Sequence, residues 1–183
     1  DIDKARKKLL HCLKCNGYNF GREWPYKNIK PRIIAEKYMT DSDDVDNLTD
    51  YKFFCFNGKA DSVMLCLERN TGDTKFYFFD KNWNLRRYNI RGKNAPSDFT
   101  LPKPAGMDQM FELAEKLSTG LPHARIDLYY SNDKIYFGEI TFFPASGFDA
   151  NILPETDLYF GNLINLEEIQ DENSRISDKQ KRK

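Results

Sequence analysis

Arg125-Ile126-Asp127-Leu128-Tyr129-Tyr130-Ser131-Asn132-Asp133-Lys134-Ile135-Tyr136-Phe137-Gly138-Glu139-Ile140-Thr141 reads as two strands joined by a turn. Side chains alternate across a strand, so Arg125, Asp127 and Tyr129 share one face while Ile126 and Leu128 share the other. On the second strand Glu139 and Thr141 oppose Ile140 and Phe142. Both apolar sets must reach one core, which brings the polar sets together and places Asp127 opposite Glu139. That register predicts an odd-length turn such as Asn132-Asp133-Lys134, because a two-residue turn would split the carboxylates between faces. Two carboxylates a few ångströms apart repel unless a cation or proton lies between them. Mg²⁺ takes hard oxygen ligands, commonly one or two carboxylates plus nucleotide phosphates, and this pair with Arg125 and Thr141 beside it matches that preference. The pattern alone better fits the polar outer face of an ordinary amphipathic hairpin, where charges cost nothing.

Outward from this hairpin the chain keeps the same grammar. Tyr51 to Phe56 and Ala60 to Glu68 flank Asn57-Gly58, a strong hairpin signal. Thr74 to Phe79 and Leu85 to Ile90 predict a second hairpin turning at Asp80 to Asn84, and Arg91 to Gly106 reads as loop. Asp108 opens a helix in which Met110, Leu113, Ala114 and Leu117 share a face, and Gly120 ends it. Upstream, Asp3 is expected to cap a helix carrying Ala5, Leu9, Leu10 and Leu13 that stops at Asn16-Gly17. Tyr18 to Lys30 reads as irregular, Pro31 to Met39 as a buried strand, and Thr40 to Asp46 as an acidic loop. Leu158 to Leu166 predicts a closing helix, and residues 167–183 a disordered charged tail. The expected fold is α+β, antiparallel β hairpins with a packed helix, in one domain spanning residues 1–166.

At 183 residues, a single domain with a real core is expected. Twenty-eight basic residues balance 28 acidic ones, so no net field draws the chain to nucleic acid or an anionic membrane, and phosphate recognition must be local. Fourteen Phe and ten Tyr favour strands. No apolar run approaches the roughly 20 residues that span a bilayer, and Asp1 to Lys8 is unlike a signal peptide, so a cytoplasmic location is expected. Cys12, Cys15, Cys55 and Cys66 do not form a secreted disulfide framework. Cys12 and Cys15 form a CxxC, but zinc needs a second ligand pair and the chain has only His11 and His123 besides, so packed, reduced thiols are expected.

Arg125-Ile126-Asp127, then Glu139-Ile140-Thr141-Phe142-Phe143-Pro144 twelve positions on, resembles the metal signature of ATP-grasp enzymes. Stretches Gly21 to Glu36, Asp50-Tyr51-Lys52-Phe53 and Gly138 to Gly147 resemble the TupA-like ATP-grasp family, named for teichuronopeptide biosynthesis and found among polysaccharide-cluster proteins often labelled glycosyltransferases. The resemblance implies the C-terminal lobe of an ATP-grasp ligase, with ATP and Mg²⁺ as cofactors and a carboxylate-bearing substrate, such as a surface-polysaccharide precursor. It implies Asp127 and Glu139 as metal ligands, Glu139 bridging two ions, and Arg125 as the group that meets acyl-phosphate charge. Thr141 stands where most relatives have Asn, with a hydroxyl oxygen to offer. Ile33 to Met39 resembles the strand leading to the adenine hinge, which assigns Glu36, Lys37 and Met39 to adenine. Lys52 is implied as a phosphate contact, and Arg86, Arg87 and Arg91 are further candidates for phosphate or carboxylate.

ATP-grasp enzymes also place a phosphate-binding lysine and a Gly-rich loop upstream of the hinge strand, and no stretch here supplies them. The chain opens on Asp1 directly in a helical pattern, which points to an excerpt; loss of nucleotide binding is the other account. A sugar-nucleotide glycosyltransferase would also use a metal-bound carboxylate pair, but normally with a parallel Rossmann-like sheet and a DxD. A catalytically silent module that keeps the fold is the remaining alternative.

Overall fold

The computed structural model describes residues 1–36, 48–69 and 72–165. The chain divides into two compact units, one of Asp1–Met39 with Phe143–Asp149, the other of Thr40–Phe142 with Ala150–Lys183. Lys37, Met39, the acidic stretch Thr40 to Asp46 and the tail 167–183 lie outside the described residues.

The larger unit is built on β1 (Asp50–Phe56), β2 (Lys59–Leu67), β3 (Lys75–Phe79), β4 (Leu85–Arg86), β5 (His123–Ser131) and β6 (Lys134–Thr141). All neighbours pair antiparallel, in the order β4-β3-β2-β1-β5-β6. Asn57 and Gly58 turn β1 into β2 with φ of 49° and 74°, the left-handed pair that suits the twist of the flanking strands. β4 is only two residues long, because Asn89 accepts from the Gly92 amide and caps a short helix α3 (Ile90–Lys93). The expected strand to Ile90 and loop from Arg91 therefore give way to a strand end and a helical turn.

Helix α4 (Met107–Leu117) starts one residue earlier than Asp108, after Gly106. Its Met107, Met110, Phe111 and Ala114 recur at helical spacing and are fully buried. They meet Phe53, Cys55, Val63, Ile126 and Leu128 on one face of the sheet, with Phe53 and Phe111 edge-to-face at 5.0 Å. Each such aromatic ring removed from water contributes about 1.5–3 kcal/mol. On the opposite face helix α5 (Pro154–Leu163) lays Phe160 on Phe54 and Phe56. On β1 that apolar patch takes Phe54 and Phe56. The Asp50 and Lys52 end of the same face carries charge instead.

In the smaller unit α1 (Ile2–Cys12) is capped by Asp1, whose side chain accepts from the Lys4 amide, rather than by Asp3. A short helix α2 (Tyr18–Gly21) and a 3₁₀ turn at Trp24–Tyr26 give Tyr18 to Lys30 more order than its sequence suggests. Residues 31–36, expected as the start of a buried strand, form no strand, and Ile33 and Ile34 are exposed. An apolar pair makes a strand only where a neighbour pairs its backbone. None does so here among the described residues. No helix among the described residues is long and apolar enough to cross a membrane.

Candidate functional site

Backbone pairing lines up three rows of side chains on the polar end of the sheet. Lys52 of β1, Asp127 of β5 and Glu139 of β6 form the middle row; Arg125 and Thr141 stand in the row on one side, and Asp50, Tyr129 and Tyr136 in the row on the other. The turn between β5 and β6 is the two-residue Asn132-Asp133, both at positive φ, so the odd-length turn expected from the sequence is not what sets the register. A bulge does. Leu128 pairs with Phe137 while Asp127 pairs with Glu139, leaving Gly138 as the extra residue. A Cβ at Gly138 would lie 2.9 Å from the Asp127 carbonyl oxygen and 3.0 Å from the Tyr129 ring, so the bulge admits only glycine without a shift.

The two acids face each other around an arginine. Arg125 donates from Nε to Asp127 Oδ1 at 2.7 Å, and from Nη2 to Asp127 Oδ2 at 2.8 Å, Glu139 Oε1 at 3.0 Å and Thr141 Oγ1 at 3.1 Å. Thr141 in turn donates to Glu139 Oε1 at 3.1 Å. Asp127 is 2% exposed and also takes Lys52 Nζ at 2.5 Å, whereas the Glu139 side chain is 62% exposed. Burial opposes the charge on Lys52, but Asp127 and Asp50 outweigh it and raise its pKa above the ordinary lysine value. Arg125 is raised for the same reasons, Asp127 being the chief partner against burial. Three acids (Asp50, Asp127, Glu139) meet three cations (Lys52, Arg69, Arg125), so the cluster is balanced within the chain.

Whether a hard divalent cation suits this cluster is answered by Arg125 Nη2. Oxygens of Asp127, Glu139 and Thr141 surround that one cationic nitrogen at 2.8–3.1 Å, an all-oxygen donor set of the kind Mg²⁺ selects. Asp127, Glu139 and Thr141 would hold such an ion in the place the guanidinium nitrogen now takes. The donor set fits the ion. Among the described residues no group of three His, Cys, Asp or Glu is placed to hold a metal.

Arg86, Arg87 and Arg91, in the larger unit, are not part of this row. Glu36 is exposed and in irregular backbone. Arg87 Nη1 donates to the carbonyls of Gly92, Lys93 and Ala95, stapling its own loop. Arg86 bonds Tyr88 Oη and lines, with Arg87, a cleft of about 550 Å³. Arg91 pairs with Asp73 at 2.8 Å and lines another cleft of about 630 Å³. Of the thiols, Cys55 and Cys66 are buried in strands, and burial pushes Cys55 up to about 11. Two members of the cluster were not singled out by sequence for a role: Asp50, recognisable only as the face-mate of Lys52, and Arg69.

An antiparallel sheet with a helix packed on one face and a charged, oxygen-rich row on the other is an α+β lobe of ATP-grasp type. A family model described as TupA-like ATPgrasp matches residues 1–165, and the chain belongs to that family. Comparisons with curated proteins and with solved structures gave no match.

Proposed function

We propose that the chain is the metal- and phosphate-handling part of an ATP- and Mg²⁺-dependent ligase that joins a carboxylate to an amine or related nucleophile. Its substrate is a cell-surface polysaccharide or teichuronopeptide precursor, and it works in the cytoplasm. The observation that carries this reading is the convergence of Asp127, Glu139 and Thr141 oxygens on Arg125 Nη2, beside Lys52, in a chain of an ATP-grasp family.

Such a reaction phosphorylates the substrate carboxylate and then lets the nucleophile displace phosphate. Asp127 and Glu139, with Thr141 alongside, would hold Mg²⁺, which would supply neutralisation of phosphate charge. Asp127, at 2% exposure and held by Lys52, is the fixed ligand; Glu139, exposed, is the adaptable one. Arg125 leaves the carboxylates for the developing oxyanion, where its planar fork suits a phosphate or acyl phosphate. Lys52 meets a phosphate oxygen as a point charge. Glu36, Lys37 and Met39 take the adenine side.

A second reading, a module that keeps the fold without catalysis, is favoured by the balance of the six charges in the cluster. Calorimetric titration of the protein with Mg·ATP separates the two: saturable heat supports the ligase part, and none supports the silent module. Release of ADP and phosphate on adding carboxylate and amine tests the reaction itself. Turnover of a nucleoside-diphosphate sugar instead would make it a glycosyltransferase.

A further inference from the structure

Asp50 opens β1 and is 1% exposed. Its Oδ2 takes Lys52 Nζ at 2.5 Å and Arg69 Nη1 at 3.2 Å, while its Oδ1 is buried with no hydrogen-bond partner. Stability alone gives no reason for an acid there, since a buried ion pair is no better for folding than well-packed apolar groups and an unpaired buried oxygen is worse. The effect on Lys52 does give one. Its ammonium lies 2.5 Å from Asp127 Oδ2 as well, so it bridges two carboxylates on neighbouring strands.

A lysine facing Asp127 alone would settle wholly on that carboxylate, which already takes two bonds from Arg125. Asp50 divides the ammonium between two acceptors and fixes its place between them. Two of the three ammonium donors are then committed, and among the described residues the third has no acceptor. Arg69, its side chain 52% exposed, offsets the second negative charge from the outer side.

We propose that Asp50, backed by Arg69, is the positioning residue for Lys52, holding its ammonium so that one N–H remains for a substrate oxyanion. The positioning stands on the geometry above; only the identity of the oxyanion, a nucleotide phosphate, rests on the ligase reading.

Nitrogen-15 NMR of the lysine ammonium groups in the whole chain tests it. The wild type should show one slowly exchanging ammonium resonance that Lys52→Met removes. Asp50→Asn should speed its exchange at least 10-fold, and Asp50→Glu, which keeps the charge, should restore slow exchange. Should Asp50→Asn not fold, Arg69→Ala, at a half-exposed side chain, decides: exchange should rise at least 2-fold. No slow Lys52 resonance in the wild type, or one equally slow in the deciding variant, overturns the proposal. Added Mg·ATP should shift the wild-type resonance. A resonance that ignores Mg·ATP yet still depends on Asp50 would reject the nucleotide reading and leave the positioning intact.

Discussion

Asp127 stands opposite Glu139 because Gly138 bulges out of the β5–β6 ladder, not because of the turn. Were Gly138 paired in register instead of bulged, Asp127 would face Gly138 and Glu139 would fall opposite Ile126 on the apolar face, since strand side chains alternate. The carboxylate pair thus depends on a residue that carries no functional group.

Gly138→Ala is accordingly expected to destabilise. Its Cβ would press on the Asp127 carbonyl oxygen at 2.9 Å, a backbone atom that cannot rotate away. Overpacking of this kind costs about 1–3 kcal/mol. Urea unfolding should register a loss in that range, and an unchanged midpoint would mean the bulge is not as tight as described.

The two acids should answer substitution very differently. Asp127→Asn leaves Lys52 and Arg125 buried beside a neutral amide, and breaking a buried pair costs about 3–5 kcal/mol. Glu139→Gln touches a side chain 62% exposed, where an ion pair contributes about 0–1 kcal/mol. Chemical denaturation of both variants should show the gap. Equal losses would contradict the assignment of Asp127 as fixed and Glu139 as adaptable.

Much of this architecture was legible because its signals are local. Asn57-Gly58 carries its turn in two residues, and Met110 and Ala114 carry their helix face in one turn. The parity argument placed Asp127 against Glu139 correctly but for the wrong reason, because an odd turn and a one-residue bulge give the same alternation. Gly138 was the available clue: a glycine inside a strand marks a close approach. Ile33 and Ile34 misled because strand formation is decided by a partner, which a stretch of sequence does not contain. Arg69 was invisible for a similar reason, since it follows the end of β2 and only the fold brings it to Asp50.

Thiol chemistry should divide along burial. Cys12 is exposed, while Cys55 and Cys66 are buried and burial raises both above the ordinary thiol pKa, Cys55 to about 11. Thiolate is the reacting form, so at pH 8 Cys12 should label quickly with a disulfide reagent and Cys55 and Cys66 only after unfolding. Mass mapping of the labelled sites checks this; rapid native labelling of Cys55 would show that β1 opens far more readily than its packing under α4 implies.

His123 predicts how stability changes with pH. Its Nδ1–H donates to the Cys55 carbonyl oxygen at 3.0 Å and its ring stacks on Phe56 at 4.7 Å. Burial lowers its pKa below 6.5, the Cys55 bond opposes that, and Arg125 two residues on lowers it further. The folded state therefore binds fewer protons than the unfolded one between the depressed value and 6.5. Its contribution is fully present above pH 6.5 and is lost as pH falls through the folded value. His123→Gln keeps an N–H donor but cannot titrate. Between pH 7.5 and 5.5 the wild type should lose stability relative to this variant in urea unfolding, and parallel pH curves would show that His123 is not held neutral by the sheet.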